Sequence, residues 1–70
     1  MNDPEHARLQ QQYPDWYIRR PPTMACFVAT RLRPLTEREI FYGLHATLVE
    51  DTRERLSEAL ATQHEIEEAL

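Results

Sequence analysis

The chain is poor in the residues that build most ligand sites. It has one cysteine (Cys26), one glycine (Gly43), one serine (Ser57) and no lysine. A single cysteine excludes an internal disulfide and a cysteine-based zinc site. Cys26 stands in the apolar run MACFVAT, where a buried and inert thiol is expected. One glycine cannot build a phosphate loop. Ser57 falls in the middle of a predicted helix, so no Ser/His/Asp arrangement is visible. His6, His45 and His64 lie far apart, without HxxxH or HxH spacing, and neither a metal nor a cofactor is expected. No apolar run approaches the length of a membrane span or a signal-peptide core. These absences together predict a cytoplasmic protein that is not an enzyme and does not engage a membrane.

Seventy residues make a single small domain, 1–70. A chain of this size buries a limited core, and a partner or a second copy would add to its stability. The net charge is −4, and it is unevenly spread. Residues 1–34 hold five Arg against three acids, a net of +2; residues 35–70 hold three Arg against nine acids, a net of −6. That asymmetry predicts a dipolar surface and a polar partner.

The strongest local signal is C-terminal. Asp51 or Thr52 is placed to cap a helix over 51–70, and Glu54 stands at capping-box distance from Asp51. Leu56, Ala59, Leu60, Gln63, Ile66 and Leu70 then share an arc of roughly 120° on the helical wheel, a core-facing stripe. Glu54, Glu58, Ala61, Glu65 and Glu68 lie opposite.

Upstream, Asn2 or Asp3 can cap a weak helix or arm over 1–12, with Pro4 at its first position and Pro14 beyond its end. His6, Leu9 and Tyr13 are its candidate inner face. A sheet is expected over 15–49. Asp15–Arg20 alternates as a strand, Pro21-Pro22-Thr23 makes a turn, and Met24–Leu32 is a second, more apolar strand. Paired about Pro22-Thr23, Ile18 would face Phe27 and Trp16 would face Ala29. Trp16, Ile18, Phe27 and Ala29 then share one sheet face; Tyr17, Arg19, Cys26, Val28 and Thr30 share the other. Thr36 and Glu39 have capping-box spacing and predict a short helix over 37–42, with Ile40 and Phe41 inward and Gly43 after its end. Leu44–Val49 is the third strand. A competing reading runs one helix from Glu37 to Leu70. The preferred order is α-β-β-(α)-β-α: an α+β fold with a small antiparallel three-stranded sheet, the long C-terminal helix packed across one face, and a short N-terminal helix.

The segments YPDWYI, FVATR and LTEREIFYGLHATLVEDTRERLSEALATQ resemble the short uncharacterised proteins of actinomycetes that tend to accompany helix-turn-helix regulators. The likeness runs from Tyr13 to about Gln63. Phe27 departs from it, standing where those proteins usually carry Trp. The resemblance implies a small cytoplasmic protein with a regulatory role and supplies no catalytic residue.

Two charged surfaces remain. The acidic ridge Glu54, Glu58, Glu65 and Glu68 is self-repelling, since Glu54 and Glu58 form an i,i+4 like-charge pair, and a basic protein partner would relieve it. The set Tyr17, Arg19, Arg20, Arg31 and Arg33, beside Trp16, could instead grip a phosphate backbone or stack on bases. The element order is similar to that of double-stranded-RNA-binding domains, although their Lys-rich helix signature is missing. The net negative charge opposes strong phosphate binding. The expected function is a small interaction module, adaptor or regulator that binds another protein or a second copy of itself; the alternative is a nucleic-acid-binding accessory domain.

Overall fold

A computed structural model describes residues 4–70. The elements in chain order are α1 (Pro4–Gln12), β1 (Trp16–Arg19), β2 (Phe27–Arg31), α2 (Glu37–Phe41), β3 (Thr47–Glu50) and α3 (Arg53–Ala69). The strands form one antiparallel sheet in the order β1-β2-β3. α3 packs across β3 and β2, and α1 packs against β1. The expected α+β architecture is thus the observed one. The expected caps of α1, Asn2 and Asp3, lie outside the described residues.

β1 alternates strictly, with Trp16 and Ile18 buried and Tyr17 and Arg19 exposed. Its register with β2 differs from the expected one by two residues: Trp16 opposes Arg31 and Ile18 opposes Ala29. The reason is the connection. Pro21 and Pro22 have no N–H to give a ladder, and Met24 N–H turns back to the Pro21 carbonyl at 3.2 Å. β2 therefore starts at Phe27, not at Met24. A shift of two preserves the side-chain alternation, so the two faces keep the expected membership even though the partners change.

One face meets α3. Leu9, Trp16, Ile18, Ala29, Leu48, Leu56 and Leu60 are buried together, with Tyr13, Phe27 and Ala59 half-buried against them. Leu56 and Leu60 are the largest side chains fully withdrawn from solvent. Leu70, expected on the same stripe, is exposed at the helix end.

The competing single helix from Glu37 to Leu70 does not form. Gly43 takes φ +99°, the left-handed conformation that glycine adopts without a Cβ penalty, and the β-branched Thr47 and Val49 continue as strand. α2 carries the expected capping box: Thr36 Oγ1 accepts from the Glu39 N–H, and the Glu39 carboxylate accepts from the Thr36 N–H. Its orientation differs from expectation. Ile40 and Phe41 point outward, and Leu44 just beyond fills the buried position instead. At α3 the cap falls on Thr52, whose hydroxyl accepts from Arg55 N–H at 3.1 Å. The box between Asp51 and Glu54 is not made; with the start one residue later, Asp51 stands 3.7 Å from Arg55.

Candidate functional site

Arg31 is the polar centre of the molecule. Its side chain is 4% exposed, lies on the α3 side of β2, and stacks 4.2 Å above the Trp16 ring. Nε donates to the His45 carbonyl at 2.8 Å, Nη2 to Gln63 Oε1 at 2.9 Å, and Nη1 to the Glu67 carboxylate. Gln63 Oε1 also accepts from His45 N–H at 2.8 Å, while its amide donates to the Gly43 carbonyl at 3.2 Å. A buried charge is tolerable only when paired and hydrogen-bonded, and here all three guanidinium nitrogens are engaged. The network ties β2, α3 and the 43–46 loop together. It also withdraws Arg31 from any outside ligand.

Arg33 makes a bidentate pair with Glu39, at 3.0 and 2.6 Å. Hydrogen bonding from Arg33, aided by the Thr36 N–H, pulls the Glu39 carboxyl down to about 2, and the same hydrogen bond raises the Arg33 guanidinium. This clamp fixes the first turn of α2 to the chain leaving β2. What it holds out to solvent is apolar: Ile40 is 59% exposed, Phe41 82% and Tyr42 52%. The Phe41 and Tyr42 rings meet edge to face at 5.3 Å, and Arg38 lies 5.7 Å from the Tyr42 centroid. Beside this corner runs a groove of about 520 Å³ lined by Arg33, Arg38, Glu39, Glu67, Glu68 and Leu70.

The acidic ridge is where the sequence suggested. Glu54, Glu58, Glu65 and Glu68 are all exposed along the outer side of α3. His64 Nε2 lies 3.3 Å from Glu68 at the C-terminal end of the ridge. The arginine set, by contrast, is dispersed. Tyr17 and Arg19 are exposed on the sheet face away from α3, Arg20 lies 5.4 Å from the Phe27 centroid, Arg33 is held by Glu39, and Arg31 is under α3.

Two features were not visible as sites in the sequence. The aromatic corner was hidden by the assumption that an apolar residue in a short amphipathic turn faces inward. The Arg31 hub left one trace, Gln63 on the inner stripe of α3, a polar residue that needed a buried partner. Among the described residues no three His, Cys, Asp or Glu side chains converge, and no helix is long and apolar enough to cross a membrane. Comparison of the chain with protein-family models, with curated proteins and with solved structures finds no match in any of the three.

Proposed function

We propose that this chain is a non-enzymatic interaction module that binds another protein through the α2 corner. The observation that carries the reading is the run Ile40-Phe41-Tyr42, three consecutive large apolar residues exposed on a turn that is capped and clamped. Contiguous exposed apolar surface marks interaction sites, and aromatic anchors on a rigid support lose little entropy on binding. The acidic ridge Glu54, Glu58, Glu65 and Glu68 adjoins the corner through Glu68, and its charge favours a basic partner by steering the encounter. A regulatory role in the cytoplasm, which the likeness to the short actinomycete proteins implies, belongs to the same proposal.

The test uses affinity capture from the native cell, followed by binding kinetics with the captured protein. Phe41→Ser should weaken binding by more than about tenfold, the effect of losing an interface anchor. Glu58→Gln with Glu65→Gln should weaken it too, mainly through a slower on-rate. Were nucleic acid the ligand, held by Tyr17, Arg19 and Arg20, the same double substitution would strengthen binding, and affinity would fall steeply with salt. A specific nucleic-acid complex surviving about 0.15 M salt would replace the proposal.

A further inference from the structure

The sheet has two outer edges, and hydrogen bonding treats them differently. In the β1–β2 ladder, Leu32 N–H donates to the Asp15 carbonyl. The alternation of an antiparallel pair then turns the backbone groups of Tyr17 and Arg19 toward β2 and those of Trp16 and Ile18 outward. Three of these outward groups are occupied within the chain. Trp16 N–H donates to the Tyr13 carbonyl at 3.2 Å. The Gln10 amide then acts like one residue of a further strand, donating to the Trp16 carbonyl at 2.6 Å and accepting from Ile18 N–H at 2.9 Å.

At the other edge, Arg31 N–H donates to the Ala46 carbonyl at 2.8 Å. The same alternation turns Ala46, Leu48 and Glu50 toward β2, and Thr47 and Val49 outward. Among the described residues, no group of the protein covers that edge as Gln10 covers the first. Its blunting is limited to its length and its last residue: β3 is four residues long and ends on Glu50, while Thr47-Leu48-Val49 contains no charge and no proline, and the chain has no lysine to place there. Native sheets normally protect an exposed edge by one of these means.

We propose that β3 is a self-pairing edge and that its occupant is β3 of a second copy of this chain, related by a two-fold axis. The sequence of the strand is complementary to itself in one antiparallel register. With Leu48 opposite Leu48 of the second copy, Thr47 opposes Val49 and Val49 opposes Thr47. Their outward N–H and C=O groups then meet as hydrogen-bonded pairs on both sides of the axis. On the open face each β-branched pair, Thr47 with Val49, sits side by side at cross-strand contact distance. On the packed face the two Leu48 side chains meet and join the two cores. One step further out, Ala46 opposes Glu50, and beyond that His45 opposes Asp51, so no like charges face each other. An unrelated extended peptide would have no such matched register. The pairing is closed by symmetry and leaves the other edge sealed by Gln10, so assembly stops at two copies. It stands apart from partner binding at Phe41.

The experiment is sedimentation equilibrium of the full chain as a function of concentration. The wild type should pass from one chain toward two at concentrations up to about 1 mM, the range of a small interface. Val49→Pro removes an outward N–H without breaking the β2 ladder, and Val49→Lys places a charge on the edge. Each should weaken self-association by more than about tenfold. Phe41→Ser should leave it unchanged. If the proline variant does not fold, the lysine variant alone decides. A wild type that stays a single chain to about 1 mM overturns the proposal. So does a dimer that survives Val49→Lys or is lost in Phe41→Ser.

Discussion

The edge at β1 and the edge at β3 belong to the same three-stranded sheet, yet they are finished by different means. The first is closed by a side chain from outside the sheet: Gln10, in the last turn of α1, fits its amide to Trp16 and Ile18. The second is held from within. Arg31 grips the loop before β3 through the His45 carbonyl, Gln63 binds the same loop at His45 N–H and the Gly43 carbonyl, and no group among the described residues covers the outward backbone of Thr47 and Val49. A strand can therefore be fixed in place without its edge being used. The helix that covers the sheet face decides stability, and the edge contacts decide what the sheet can still pair with.

The largest way to break the comparison is to remove what both edges share. Arg31 stacks on Trp16 of β1 and bonds to the loop before β3. Arg31→Ala strands the His45 carbonyl, unpairs Glu67 and removes the guanidinium packed on Trp16, and should cost about 3 kcal/mol in urea unfolding. A loss under about 1 kcal/mol would mean that water or a neighbouring group replaces the guanidinium. Next comes Gln10→Ala, which strands the Trp16 carbonyl and the Ile18 N–H. It should cost about 1–3 kcal/mol, and it should also open a second edge. Assemblies larger than two copies should then appear at high concentration, as they should not in the wild type.

A smaller effect follows from the clamp on the connection between the strands. The Glu39 carboxyl lies below its ordinary value, at about 2, because Arg33 and the Thr36 N–H hydrogen-bond its charged form. A group whose pKa is lowered on folding contributes stability that is complete above its unfolded value of 4.5 and is lost as pH falls toward about 2. Thermal melts of the wild type and Glu39→Gln should therefore differ at pH 7 and converge across that interval. A gap that stays constant to the acid end would show that the pair contributes no pH-dependent stability. The smallest effect is on the α3 ridge. Glu58→Gln relieves the i,i+4 repulsion with Glu54 and should raise stability by about 0.2–0.5 kcal/mol, without changing self-association.

Much of the fold was legible in local pattern. The alternation in DWYIRR, the stripe on α3, the Thr36–Glu39 box and the lone glycine each specify backbone geometry over a few residues, and each is found where the spacing put it. The register was not legible, because it depends on how many residues Pro21 and Pro22 keep out of the ladder. The α3 cap moved by one residue because Thr52 and Asp51 are both competent caps, and packing, not propensity, chooses between them. Among the candidate surfaces, the acidic ridge follows directly from helical periodicity. The arginines do not behave as a set, since Arg31 and Arg33 are sequence neighbours with opposite surroundings: alternation sends one under α3, and the other, beyond the strand, meets Glu39. Gln10 left no signal, because a side chain that substitutes for a strand residue has no sequence period of its own.

Amide hydrogen exchange, followed residue by residue at low and high protein concentration, compares the two edges directly. The Trp16 and Ile18 N–H groups should be protected at every concentration, because their acceptors lie within the chain. The Thr47 and Val49 N–H groups should exchange rapidly when the protein is dilute and become protected as it is concentrated. Protection at Thr47 and Val49 that does not change with concentration, or an Ile18 amide exchanging as fast as that of Val49, would contradict the division into one sealed edge and one open one.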